Sequence, residues 1–257
     1  MIGVRTATGR IVDLVALPAD LDIVTEVGEP LARIKRFAGQ VPDCEYSVAE
    51  HCCRGADAIQ AELIGNDFAS PRAALAALYF LLHEEESFSG DVIRPFVDLV
   101  VASADTDPLR PWLHAGGLVR AAISKAKAHL CRQIHEAAGL PWPPPLWIAG
   151  RVGAMDNRML AEEQRHLWPD GVEPDPAVAQ LAPVSIPDWR SPVIRPWSWQ
   201  RAAAEWTSRW HSLRVAAGIV SPRGTAPSLP LEGRPKAAQP ASGGGEGTAP
   251  AEVPFDG

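Results

Sequence analysis

Leu82-His83-Glu84-Glu85-Glu86-Ser87-Phe88-Ser89-Gly90-Asp91 is the stretch on which the reading of this chain turns. Before it, Ala73 to Leu82 is an almost unbroken apolar run that reads as a buried helix. The run ends in an imidazole followed by three carboxylates. Such a group offers the nitrogen and oxygen donors that a divalent cation of the zinc, manganese or cobalt type accepts. Alone, a histidine beside glutamates at a helix end is most simply a solvated face, so a metal reading needs partners from elsewhere in the chain.

Upstream, Ser70-Pro71 opens this helix, with Ser as the cap and Pro at the first helical position. Ser47, with Glu50 three residues on, forms a capping box that starts a helix running to about Ile64, with His51 in its first turn. The loop Gly65-Asn66-Asp67 separates the two helices. Val27, Leu31 and Ile34, with Pro30 near the start, predict a short helix that ends near Gly39 and delivers Arg36 and Phe37 to its end. Residues 1–24 carry a Thr-Gly turn signal between short β-branched runs, which predicts a small hairpin or extended arm, a lid rather than a core.

Downstream, a turn at Arg94-Pro95 precedes an apolar run from Phe96 to Ala102, a Ser-Ala-Asp-Thr-Asp-Pro break, and a helix from about Pro111 to Ala138. Pro141 and Pro143 to Pro145 insulate that helix from the next, which spans about Ile148 to Leu167 and carries Asp156 in its middle. Met155, Met159, Leu160 and Leu167 leave its opposite face mostly polar, so only a fold that buries Asp156 would explain that residue's place. Residues 168–213 are rich in Pro and Trp, then helical through Ala202 to Leu213, and are expected to wrap back over the core with the tryptophans as packing residues. These elements amount to an all-α bundle.

At 257 residues and 46% hydrophobic, the chain can bury one good-sized core. The expected division is one domain over 1–220 and a tail over 221–257, whose Pro, Gly, Ala and Ser offer too little apolar surface to offset the entropy of ordering, so the tail reads as disordered. A formal charge of −7 argues against affinity for duplex nucleic acid, though a local basic pocket for one nucleotide is compatible with it. No stretch approaches the roughly 20 apolar residues of a membrane span and no signal peptide is visible, so the expected compartment is the cytoplasm. Cys44, Cys52, Cys53 and Cys131 lack zinc-ribbon spacing, and the vicinal pair is expected to be reduced and packed.

Four blocks in order carry a resemblance. They are Arg36-Phe37-x-Gly39-Gln40; Tyr46-Ser47-Val48-Ala49-Glu50-His51; Leu81-Leu82-His83 with an acid beside it, followed by Gly90-Asp91 and Arg94-Pro95; and Met155-Asp156-Asn157-Arg158-Met159-Leu160-Ala161-x-Glu163. Over roughly residues 1–213 the set resembles the HD-domain metal-dependent phosphohydrolases, in particular the branch of 5′-deoxynucleotidases and their phage-borne relatives. The resemblance implies an HD-domain helical bundle that hydrolyses a deoxynucleoside mono- or triphosphate with a divalent cation, whether Co, Mn, Zn or Mg. It implies His51, His83 and Asp156 as metal ligands, with the acid after His83 as the fourth. It further implies Arg36 as a phosphate-binding residue, Phe37 as an apolar wall of the nucleoside pocket, and a glutamate after the His-acid pair together with Asp91 as the groups that orient the attacking water.

The chain departs from that pattern at its centre. The family has His-Asp where this chain has His83-Glu84, and the interval of eight residues from His83 to Asp91 is one shorter than the family's. Either Glu84 replaces the ligand Asp on a longer arm, or the Asp is deleted and Glu86 is the catalytic glutamate moved from i+4 to i+3; both spacings share a helix face with His83.

Plainer roles stand beside these. Arg36 is equally a salt-bridge partner, Asp91 is equally a structural cap after Gly90, and His114, His129, His135, His166 and His211 read as structural. Other functional readings are a degenerate member that binds nucleotide without turnover, a phosphodiesterase on a cyclic or oligomeric nucleotide, and an interaction module built on the Trp-rich segment. Whether the chain forms a homo-oligomer is left open.

Overall fold

A computed structural model of the chain describes residues 1–42, 45–66, 68–92, 94–105, 115–184 and 194–219. Cys44, Asp67, the end of the break before Pro111, the first residues of the helix expected from Pro111, His114 and the tail over 221–257 lie outside them. Two short strands, β1 (Gly3–Arg5) and β2 (Ile11–Asp13), pair antiparallel with Val4 opposite Val12. After a π-helical turn at Ile23–Gly28 come α1 (Glu29–Arg33), α2 (Val48–Gly65), α3 (Ser70–Leu81), α4 (Glu86–Ser89), α5 (Arg94–Asp105), α6 (Gly116–Ala137), α7 (Leu146–His166) and α8 (Trp199–Ala216). The protein is an all-α bundle with a small N-terminal hairpin. Among the described residues no helix is long and apolar enough to cross a membrane.

α3 is the axis of the bundle. Ala73, Ala74 and every residue from Ala76 to Leu82 are buried, and a helix that is apolar on all sides must be surrounded by others. α2, α7 and α8 surround it. Its many alanines let neighbours come close, and at Gly55 of α2 the packing is tight enough that an added Cβ would overlap the Phe80 ring. α8 turns Ala202, Trp206, Trp210 and Leu213 inward at helical spacing, so the Trp-rich segment does fold back over the core. Cys52 and Cys53 are free and buried, packed as expected.

Three local expectations are modified. Ser47 caps α2 by accepting the Glu50 N–H at 3.1 Å, but the Glu50 carboxylate does not return to Ser47. It accepts Arg54 and the Trp197 N–H instead, tying the segment before α8 to the start of α2. α3 has Ala69 rather than Ser70 at its N-cap and no side-chain cap bond. The single helix expected over 27–37 is broken after Arg33, because Ile34 to Arg36 pair across the chain with Tyr46 to Val48: the Arg36 N–H donates to Tyr46 O and the Val48 N–H to Ile34 O, both at 3.0 Å. Backbone groups satisfied across the chain do not need the helix.

A buried carboxylate ties the hairpin to the chain that follows it. Glu26 is buried and accepts hydrogen bonds from the Thr6 and Thr8 hydroxyls, Arg10 Nε and the Asp22 N–H at 2.6–2.9 Å. Burial pushes its carboxyl up, but the donors outweigh burial and bring it down to about 2. Since this lies below the unfolded value of about 4.3, the stabilisation is complete above the unfolded value and lost as pH falls through the folded one. Glu26→Gln is therefore expected to flatten the fall in stability on acidification between about pH 4 and pH 2. Denaturant titrations at stepped pH measure it, and an unchanged profile would contradict the role given to Glu26.

Candidate metal centre

Three elements converge where α3 ends. His51, in the first turn of α2, is fully buried. His83 and Glu84 leave the C-terminal end of α3, and Asp156 comes from the middle of α7. His51 Nε2 lies 3.3 Å from Asp156 Oδ1 and 3.8 Å from Glu84 Oε1; His83 Nε2 lies 3.6 Å and 3.3 Å from the same two oxygens. Donors each about 2.0–2.1 Å from a common centre in a tetrahedron stand about 3.3–3.4 Å apart, so the separations are of the size that one cation requires. These four residues could hold a metal ion.

A second observation supports the fit. Both Nε2 atoms are buried and make no hydrogen bond, although an orphaned buried polar atom is costly. His83 donates its Nδ1–H to Phe80 O at 2.6 Å, which leaves its Nε2 lone pair toward the cluster. Burial and the nearby Arg36 oppose a charge on His51, but Glu163 and Asp156 outweigh them and raise its pKa. His83 is likewise raised against burial, by Glu84 first. Glu84 and Asp156 are lowered in turn by the histidines, again against burial. Without a cation the carboxylates draw protons onto the imidazoles, and a divalent ion would replace those protons.

The geometry bears on the two readings of the departure after His83. Glu84 Oε1 reaches both imidazoles and sits among the donors, so its longer arm does not point away. Glu86, the first residue of α4, is buried behind it, with Oε2 lacking any hydrogen bond. Burial, then Glu84 and Glu85, raise its carboxyl above the ordinary range. Lys127 Nζ, from α6, lies 2.8 Å from Glu85 and 3.8 Å from Glu86 and offsets part of this negative charge. The expected burial of Asp156 is met in part: the residue is half-buried, with its side chain 39% exposed. It stands at the mouth of the site, where a ligand aimed inward from α7 can also meet solvent.

Arg36 is buried in the site rather than on the surface. Its Nη1 lies 3.1 Å from Glu84 Oε1 and its Nε 3.2 Å from Glu163 Oε2. Phe37 and Ala38 follow with φ of 57° and 52°, a left-handed conformation that non-glycine residues adopt at a cost of about 1–3 kcal/mol. Asp91 accepts the Ala38 N–H at 2.8 Å and braces this turn. Phe37 meets Trp168 edge-on at 4.8 Å. Asp91 thus has a contact that shapes the Arg36–Phe37 turn, and it has no place in the four-donor cluster.

Glu163 received no role from the sequence. It is fully buried in α7, two turns after Asp156, and receives the Tyr46 hydroxyl at 2.8 Å and His51 Nδ1 at 2.6 Å on one oxygen. The signal that could have found it is the seven-residue spacing from Asp156, which puts both carboxylates on one helix face. Set against family models and curated proteins, the chain matches none.

Proposed function

We propose that the protein is a metal-dependent phosphohydrolase acting on a nucleotide, most plausibly a deoxynucleoside mono- or triphosphate. The observation that carries the proposal is the convergence of His51, His83, Glu84 and Asp156, from three distant parts of the chain, with both Nε2 atoms unpartnered. A divalent cation there would supply Lewis acidity, lowering the pKa of a water and polarising a phosphoryl oxygen. Glu86 stands behind Glu84, and with a cation bound in front of it its carboxylate would take the proton of the attacking water; without that cation, burial and the neighbouring acids raise its carboxyl to about 9 and keep it protonated at neutral pH. Arg36 offers a planar guanidinium for phosphate oxygens, with Glu84 and Glu163 holding it in place. Phe37, presented by the strained turn and backed by Trp168, supplies apolar surface for the nucleoside.

The test is a screen of nucleotides for release of phosphate or triphosphate with Mn, Co, Zn or Mg added. His83→Ala and Asp156→Ala, each folded by thermal melt, are expected to lose both stoichiometric metal and turnover. Stoichiometric metal in both variants would rule the centre out, and a wild-type protein that binds metal and nucleotide but releases nothing would leave a binding role.

A further inference from the structure

Glu163 makes more contacts with the site than its sequence position announced. Its carboxylate is wholly buried. Oε1 accepts the Tyr46 hydroxyl at 2.8 Å and faces His51 Nδ1 at 2.6 Å, while Oε2 pairs with Arg36 Nε at 3.2 Å. The Tyr46 hydroxyl donates a hydrogen and the Arg36 guanidinium brings a positive charge, and an ionised carboxylate answers both. Such a carboxylate accepts but cannot donate, so it favours a hydrogen on the His51 Nδ1 that faces it.

We propose that Glu163 is a positioning residue that fixes His51 in the tautomer with hydrogen on Nδ1, so that its Nε2 lone pair faces Glu84 and Asp156. This rests on the metal reading of the four-donor cluster. An imidazole that ligates through one nitrogen is oriented by the acceptor held by the other, and an anionic acceptor also makes the ring a stronger donor. His83 has a neutral backbone carbonyl in that role, whereas His51 has a buried anion. Tyr46 and Arg36 hold the anion in place, the hydroxyl by donating to Oε1 and the guanidinium by its ion pair with Oε2, and so keep the carboxylate facing His51. The same contacts join Arg36 to the ligand shell, so the guanidinium and the imidazole share one anchor.

Glu163→Gln separates this role from simple packing, because the amide is nearly isosteric yet accepts on one side only. If its oxygen faces His51 and Tyr46, its NH2 meets the Arg36 guanidinium; if it is flipped, its NH2 forces the hydrogen of His51 onto Nε2. Metal affinity of Glu163→Gln, measured by competition with a chelating dye for Mn, Co or Zn, is expected to fall by about 10–100-fold. Tyr46→Phe removes one donor from the carboxylate but keeps the bond to His51, so its metal affinity should fall by less than that of Glu163→Gln.

The second readout needs no metal. Nitrogen chemical shifts of His51 in the wild-type protein, at a pH where the ring is neutral, should report hydrogen on Nδ1, and Glu163→Gln should move population toward Nε2. Hydrogen on Nε2 in wild type would overturn the proposal, as would a Glu163→Gln protein whose metal affinity stays within about threefold of wild type. A wild-type chain that shows the Nδ1 tautomer but binds none of the metals would uphold the orientation and sink the metal reading instead.

Discussion

Glu86→Gln is expected to lower turnover by about 10²- to 10⁴-fold, the range for loss of a general base, while metal content stays at the wild-type level. Glu86 does not belong to the four-donor set but stands behind Glu84, with its buried Oε2 free of hydrogen bonds. The amide keeps its size and removes its ability to take a proton. Glu84 should behave differently. Glu84→Gln removes a negative charge and an oxygen donor from beside both imidazoles and leaves Arg36 without one of its two partners, so metal affinity falls first and turnover with it. Glu84→Asp keeps the charge and should hold metal better than Glu84→Gln. Metal affinity and turnover on the three variants separate a ligand from a base, and normal values of both in the two Gln variants would overturn the assignment of the whole cluster.

Gly55→Ala is expected to destabilise the protein by about 2 kcal/mol, a fall in melting temperature of roughly 4–8 °C for a chain of this size. Alanine gains about 1 kcal/mol in helix propensity over glycine, so the overlap with the Phe80 ring must outweigh that gain, and a fully buried ring has little room to retreat. The disturbance should reach the site. The Phe80 ring lies 4.4 Å from that of His83 and 5.6 Å from that of His51, and its carbonyl holds His83 Nδ1. Metal affinity should therefore drop together with stability. Gly150→Ala and Gly153→Ala are the controls: both glycines are exposed in α7 with nothing near an added Cβ, so each should stabilise by about 0.4–1 kcal/mol. A stable Gly55→Ala protein with normal metal affinity would show that α2 and α3 can separate at this point without moving the histidines.

What could be read from the chain alone was local. The apolar run through α3, the Ser47 cap that sets His51 one turn into α2, and the hairpin turn each depend on residues within a few positions of one another. Backbone propensity, side-chain period and capping act over that range. The resemblance named His51, His83 and Asp156 together, but only packing could bring their donor atoms within 4.8 Å of one another.

Tertiary structure decided the rest. The sequence left Glu84 with two roles, and its place beside both imidazoles follows from where the end of α3 points relative to α2 and α7. The break after Arg33 and the left-handed turn at Phe37 and Ala38 arise because Tyr46 to Val48 and Asp91 offer the backbone partners from a distance. Asp156 is half-buried at the mouth of the cluster because Met155 and Met159 take the face of its helix that packs into the core, which leaves Asp156 at the edge of that face. Glu163 lies 112 residues from His51, and no local rule distinguishes a buried carboxylate that anchors a distant imidazole from a solvated one. Such pairings are set by how helices pack, and that depends on the shape of the whole apolar interior rather than on any window of sequence.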